Sequence, residues 1–115
     1  MTNQAKQLIK DAIQVLQKDI YETAKSHGWW DGPDRSDAEC ISLMHSELSE
    51  ALEAARHGYP MDEHCPCHGN FEVELADCII RILDLAEARQ LDIASALLAK
   101  AEFNKDRLYR HGKGF

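Results

Sequence analysis

Four acidic residues form two pairs that share one spacing. Glu47 and Glu50 are three residues apart, and Glu74 and Asp77 repeat that spacing further along the chain. Side chains three residues apart on a helix project from the same face, so two antiparallel neighbouring helices can turn both pairs towards each other. Carboxylate oxygens that converge in this way suit a hard octahedral cation. We therefore predict that the four residues bind Mg²⁺, with Mn²⁺ as a possible substitute.

The residues around both pairs are apolar: Leu48 and Ala51 around the first, and Leu75, Ile79 and Ile80 around the second. Partly buried carboxylates repel one another and lose hydration, so a cation would offset an otherwise costly arrangement. The alternative is that the pairs are solvated surface residues, as most acidic pairs on helices are. Arg81 lies between Asp77 and Asp84, and we expect it to pair with one of these two acids.

The C-terminal segment has the opposite charge from the rest of the chain. Residues 100–115 have a formal charge of +3, whereas the preceding residues sum to −10. The total of −7 disfavours a nucleic-acid partner, because phosphate backbones are bound by clustered Lys and Arg. A short basic segment suits the phosphates of a small ligand instead. We predict that Lys100, Asn104, Arg107 and Arg110 bind them, the alternative being a solvated basic end.

Two other segments offer recognition groups. Trp29 and Trp30 are adjacent in a turn-rich stretch, so one of them can stack on a base, unless both pin the loop to the core or to a second subunit. Thiolate and imidazole ligands for zinc are present in the stretch His64-Cys65-Pro66-Cys67-His68. A Cys-x-Cys spacing is tighter than is usual in zinc sites, so a loop over the ligand is favoured, and metal binding there stays an open alternative.

Helices must position these groups, because apolar residues recur at three- and four-residue steps and no strand-like alternation occurs. We predict an all-α fold of four helices. They run from Asn3 to His27, from a Ser36 cap to Gly58, from Phe71 to about Ala88 after an Asn70 cap, and from an Asp92 cap through Leu108.

Length and composition indicate one domain over residues 1–115. A chain of this size buries only a thin core, so we expect completion by homo-oligomerisation, as a homodimer or homotetramer. No segment approaches a membrane span, and no signal peptide precedes the four cysteines. We therefore expect a cytoplasmic protein with reduced thiols, in which Cys40 and Cys78 are buried on helices.

At the acidic pairs the chain resembles the MazG-type all-α nucleoside triphosphate pyrophosphohydrolases. Their signature is E-E-x-x-E on one helix and E-x-x-D on the next, against Ser46-Glu47-Leu48-Ser49-Glu50 and Glu74-Leu75-Ala76-Asp77 here. The similarity extends from Trp29 to the C-terminus and includes Lys100-x-x-x-Asn104-x-x-Arg107. Ser46 departs from the pattern, since the family has an acid there.

The resemblance implies a MazG-like four-helix bundle that hydrolyses nucleoside triphosphates to a monophosphate and pyrophosphate, as nucleotide-pool housecleaning. It makes Glu47, Glu50, Glu74 and Asp77 the catalytic carboxylates, and it implies that an aromatic residue sandwiches a pyrimidine. Two alternatives remain open. One is a phosphoribosyl-ATP pyrophosphohydrolase, and the other is a non-catalytic helical module that binds a metal or a partner, which the missing acid at Ser46 motivates.

Overall fold

A computed structural model describes residues 1–107 of the chain, and its regular structure in that range is helical. The helices are α1 (Asn3–Ser26), α2 (Asp37–Arg56), α3 (Asn70–Ala88) and α4 (Ile93–Lys105). Among these residues the only β-type pairing is an isolated antiparallel bridge between Met61 and Gly69. The prediction of an all-α fold with four helices is confirmed.

Polar caps begin three of the helices, and two of these starts were predicted from residue type. The Ser36 hydroxyl accepts a hydrogen bond from the Glu39 N–H at 3.1 Å, and the Asp92 carboxylate accepts one from the Ser95 N–H at 3.1 Å. Thr2 caps α1 in the same way. Each cap satisfies a backbone donor that the helix leaves without a partner, which fixes where the helix begins.

The start of α3 differs from the prediction. Gly69 is the N-cap residue and Asn70 is already helical, so the expected Asn70 cap is wrong. Glu72 Oε1 accepts a hydrogen bond from the Gly69 N–H at 2.8 Å, which replaces a side-chain cap. The Asn70 side chain is directed instead to the carboxylates of Asp62 and Glu74.

The helix ends lie close to the predicted positions. Gly28 and Gly58 follow the ends of α1 and α2 with φ of +86° and +78°, a left-handed conformation that glycine adopts without strain. The fourth helix ends at Lys105 with Asp106 as its C-cap. Leu108, with which the predicted helix ended, lies outside the described residues.

Helices α2 and α3 form an antiparallel pair, which the contacts at its two ends define. Asp37 at the start of α2 accepts a hydrogen bond from Arg89, just after the end of α3, while the rings of Tyr59 and Phe71 meet edge-to-face at the opposite end, 5.3 Å apart. Helix α1 packs on α3, and α4 packs mainly on α1. The acidic pairs of α2 and α3 therefore face the same interhelical seam.

Small side chains dominate the interior of the described chain. Its buried apolar residues are Cys40, Ala51, Ala54, Cys78, Leu83, Ala86 and Ala94, which confirms the predicted burial of both helical cysteines. Large apolar side chains such as Val15, Leu52 and Phe103 are more than half exposed.

The radius of gyration is 16.6 Å, compared with about 13 Å for a compact chain of this length. No helix within residues 1–107 combines the length and apolarity needed to cross a membrane.

Candidate metal centre

Three of the four predicted ligands converge between α2 and α3. Glu47, Glu50 and Glu74 each offer a carboxylate oxygen, and these oxygens lie within 4.8 Å of one another. We refer to these residues as the acidic trio. Glu47 and Glu74 are each only 9% exposed, whereas Glu50 is open to solvent. Among residues 1–107 this is the only group of three or more acidic, His or Cys side chains that is close enough to share one cation.

Glu74 is the member of the trio whose surroundings best fit a cation. Its Oε1 accepts a hydrogen bond from Asn70 Nδ2 at 3.2 Å, but its buried Oε2 has no hydrogen-bond partner. Burial, followed by the neighbouring carboxyl groups of Glu50 and Glu47, raises the Glu74 pKa to about 7. A buried carboxylate that has one oxygen without a donor and lies close to other carboxylates suits a hard divalent cation, which would remove both penalties. The chemistry of the donor set therefore fits Mg²⁺ or Mn²⁺.

Asp77, the fourth predicted ligand, lies next to the trio but is not part of it. Burial raises the Asp77 pKa and the nearby Glu47 adds to the rise, while Arg81 lowers it. Its neighbours thus place Asp77 within electrostatic reach of the trio. Its role as a ligand stays a prediction.

Arg81 pairs across the helix seam rather than along its own helix. Its Nε donates to Glu47 Oε1 at 2.8 Å, so the expected pairing with Asp77 or Asp84 is not the one formed. This bond orients Glu47 and occupies one of its oxygens. Ser46 has no comparable role, because its hydroxyl donates to the Leu43 carbonyl of the same helix at 2.7 Å.

A cleft of about 340 Å³ reaches the trio at one of its members, Glu47. Its lining includes Glu47 and Asp77, the charged pair Arg35 and Asp84, and Trp29, which is 61% exposed. The volume is at the lower end of the range for small-molecule sites. Carboxylates and an accessible aromatic ring therefore share one cavity.

The Trp30 side chain, in contrast, is held by a second buried acid, Asp84. Its Nε1 donates to Asp84 Oδ1 at 2.9 Å, and Arg35 Nη2 donates to Asp84 Oδ2 at 3.2 Å. The Arg35 guanidinium also lies 4.1 Å from the centre of the Trp30 ring. We refer to Trp30, Arg35 and Asp84 as the Asp84 cluster. Of the two predicted aromatic groups, the geometry favours Trp29 for contact with a ligand.

Three of the predicted phosphate-binding residues, Lys100, Asn104 and Arg107, lie on or just after α4. Lys100 Nζ is 4.6 Å from the centre of the Phe103 ring, and the Arg107 guanidinium is 5.6 Å from it. No hydrogen bond or ion pair within residues 1–107 joins Lys100, Asn104 or Arg107 to the trio. Arg110 lies outside the described residues.

The loop between α2 and α3 contains a functional candidate that the sequence did not reveal. Cys65 and Cys67 are exposed, and His64, Cys65, Cys67 and His68 do not assemble a group of metal ligands in the described chain. Asp62 is instead the buried residue of this loop, and it accepts hydrogen bonds from Asn70 and from the backbone of His64 and Cys65. The Asn70 bond is the main reason that the Asp62 pKa lies below its usual value. An Asp before a turn is too common a signal to have identified it.

The arrangement as a whole offers oxygen ligands for a cation, an adjoining cavity and an exposed aromatic ring. Comparisons of the chain with known protein families, with curated proteins and with solved structures give no match.

Proposed function

We propose that this chain hydrolyses nucleoside or deoxynucleoside triphosphates to a monophosphate and pyrophosphate, in a Mg²⁺-dependent reaction. The observation that carries the proposal is the acidic trio, in which the buried Glu74 carboxylate lies close to Glu47 and Glu50 and has one oxygen, Oε2, without a donor. The resemblance of the sequence to the MazG-type enzymes indicates the type of reaction and suggests a role in nucleotide-pool housecleaning. The adjoining cleft supplies room for the substrate.

Each side chain at the site would have a distinct task. When bound, Mg²⁺ would offset the negative charge of the phosphate oxygens. Glu50 is the accessible carboxylate of the trio and would orient the attacking water, whereas Glu47 already accepts a hydrogen bond from Arg81. Trp29, which lines the cleft, would stack on the base. Positioning and electrostatics would thus provide most of the catalysis.

The proposal includes homo-oligomerisation, in which the active form is a homodimer or homotetramer. Exposed apolar side chains occur on all four helices, including Leu8, Leu52, Ile79 and Leu97, and such surface is typically buried in an interface. Within residues 1–107, Lys100 and Arg107 make no hydrogen bond or ion pair with the trio of their own chain. A neighbouring copy would bring such basic groups to the phosphates.

The test is a pyrophosphate-release screen in Mg²⁺ and in Mn²⁺. It would cover the canonical ribo- and deoxyribonucleoside triphosphates, uracil-containing, oxidised and methylated analogues, and phosphoribosyl-ATP. We expect monophosphate and pyrophosphate from a subset of the nucleotides. Release of orthophosphate, or no turnover by the folded protein, would contradict the proposal, and turnover of phosphoribosyl-ATP alone would identify the alternative enzyme.

Two neighbouring exposed glutamates of α2 provide a matched pair of variants. Glu50→Gln removes a member of the trio, whereas Glu53→Gln alters a carboxylate that hydrogen-bonds to His57 at 2.7 Å outside it. We expect turnover to be lost in the first variant and retained in the second. Equal losses in both would show that the trio has no special part.

A non-catalytic module that binds Mg²⁺ is the second candidate. It is favoured by Ser46, whose hydroxyl turns back to its own helix, and by the engagement of Arg81 and Arg35 with Glu47 and Asp84. Mg²⁺ binding by calorimetry without turnover of any nucleotide would identify this candidate.

A further inference from the structure

The loop that joins α2 to α3 is tied down at one carboxylate. Asp62 is 6% exposed and is the buried residue of the stretch 57–69. Its Oδ2 accepts hydrogen bonds from the N–H groups of His64 and Cys65, at 2.9 and 2.7 Å. Its Oδ1 accepts one from Asn70 Nδ2 at 2.8 Å. Both carboxylate oxygens are therefore held, one by the loop backbone and the other by the first residue of α3.

Asn70 passes this constraint on to the acidic trio. The same Nδ2 group that donates to Asp62 also donates to Glu74 Oε1, at 3.2 Å. One amide group with two hydrogens thus bridges two carboxylates. Because Oε1 is held, the orientation of the Glu74 carboxylate is fixed, and its Oε2 is left without a donor.

The bridge is not needed to begin the helix. Glu72 Oε1 already accepts from the Gly69 N–H, and the Asn70 N–H donates to the Pro60 carbonyl at 2.7 Å. The side chain of Asn70 is therefore free of a capping role. Both of its described hydrogen bonds end on carboxylates, one of which belongs to the trio.

We propose that Asn70 and Asp62 are positioning residues of the metal centre, which orient Glu74 for the cation and couple the loop 57–69 to its binding. The inference rests on the metal centre of the proposed function. Hydrogen-bond partners of metal-ligating side chains commonly change metal affinity by about 10- to 100-fold when they are removed. Coupling is reciprocal, so a cation at the trio would also stabilise the loop.

Calorimetric titration of the metal-free full chain with Mn²⁺ tests the positioning role. Asn70→Ala removes the bridge, and we expect it to weaken Mn²⁺ binding by about 10- to 100-fold. Glu72→Ala is the matched control, because it removes another side-chain hydrogen bond in the first turn of α3 that does not reach the trio. We expect the control to lower stability towards urea while its Mn²⁺ affinity is unchanged. Wild-type affinity in a folded Asn70→Ala protein, or equal weakening in both variants, would overturn the inference.

Amide hydrogen exchange of the wild-type protein tests the coupling without any substitution. We expect Mn²⁺ to slow exchange at His64 and Cys65, whose N–H groups Asp62 holds. Asp62→Asn keeps an acceptor for Asn70 but weakens the hold on the loop, and it should remove most of this protection. It also serves as the second variant if Asn70→Ala does not fold.

The two proposals fail in different ways. Tight Mn²⁺ binding by the wild type with no protection at His64 and Cys65 would overturn the coupling and leave the metal centre intact. No Mn²⁺ binding by the folded wild type would overturn the metal centre and the inference together.

Discussion

Glu74 and Asp84 are buried carboxylates on the same helix, with the same 9% exposure and opposite surroundings. Each oxygen of Asp84 has a donor from the chain itself, from Trp30 and from Arg35. Glu74 has a donor on one oxygen only and faces two further carboxylates. The two carboxylates are therefore equally buried, but only Asp84 has donors from the chain for both of its oxygens.

This difference separates an acid that holds the fold together from one suited to a ligand. Removal of one partner from a buried, hydrogen-bonded ion pair leaves an uncompensated charge, so such a pair is costly to break. Carboxylates that crowd together are costly to leave as they are, unless a proton or a cation is added. Although Glu74 and Asp84 are equally buried, the stability of the protein should therefore respond to their substitution in opposite ways.

The largest effect is expected at the Asp84 cluster. Asp84→Asn places an amide donor against Arg35 and should lower the free energy of unfolding by about 3–5 kcal/mol. Urea unfolding monitored by circular dichroism measures this. Asp37→Asn, which affects an exposed pair with Arg89, is the control and should cost much less. Similar values for the two variants would remove the structural role from Asp84.

Glu74→Gln should have the opposite signature. It removes a charge from a crowded site, so the metal-free protein should be at least as stable as the wild type. Mn²⁺ affinity should fall by at least about 100-fold, since loss of hydrogen-bond partners to ligands alone costs up to that much. Thermal unfolding with and without Mn²⁺ shows both effects. A destabilisation as large as that of Asp84→Asn would abolish the contrast between the two acids.

The two tryptophans extend the contrast to the substrate. Trp29→Ala should raise KM for the nucleotide by roughly 5- to 150-fold, because a base–aromatic stack contributes about 1–3 kcal/mol. Its effect on stability should be small, since the side chain is exposed. Trp30→Phe removes the hydrogen bond to Asp84 and should lower stability while KM stays the same. Steady-state kinetics paired with urea unfolding distinguish these outcomes, and the reverse pattern would reassign the base platform.

A smaller effect is expected from pH on the metal-free protein. The Glu74 pKa is raised from 4.5 to about 7, so within that interval the folded state keeps a proton that the unfolded chain releases. Stability should therefore fall as pH rises from about 5 to about 8. Unfolding free energies of the wild type and of Glu74→Gln across this range give the contribution of Glu74 by difference. Parallel profiles would show that Glu74 does not titrate there, and Mg²⁺ should reduce the fall at high pH.

The sequence predicts the parts of this molecule that depend on local chemistry. Caps at Ser36 and Asp92 follow from residue type, and the convergence of Glu47, Glu50 and Glu74 follows from helical spacing and a connection that favours antiparallel packing. The metal identity and the reaction stay predictions.

The contacts that the sequence did not predict join residues far apart along the chain. Arg81 has acids at suitable spacing on its own helix, yet it pairs with Glu47 across the seam. Trp30 reaches Asp84, 54 positions away. Such choices depend on how the helices are rotated and how the loops return, and periodicity within one helix does not specify that. The Asp62–Asn70 bridge is hidden for the same reason, because Asn70 also fits a capping role.

The two helices that carry the trio, α2 and α3, also carry buried alanines. Ala51, Ala54 and Ala86 are at most 3% exposed, and small side chains let helix axes approach to the lower end of the usual 8–10 Å range. The distance between Glu50 and Glu74 depends on that approach. Small alanine side chains would thus favour the smaller of two cations, since Mg²⁺ takes shorter bonds to oxygen than Ca²⁺ does. Selection between these two ions would then lie in apolar residues that touch neither of them.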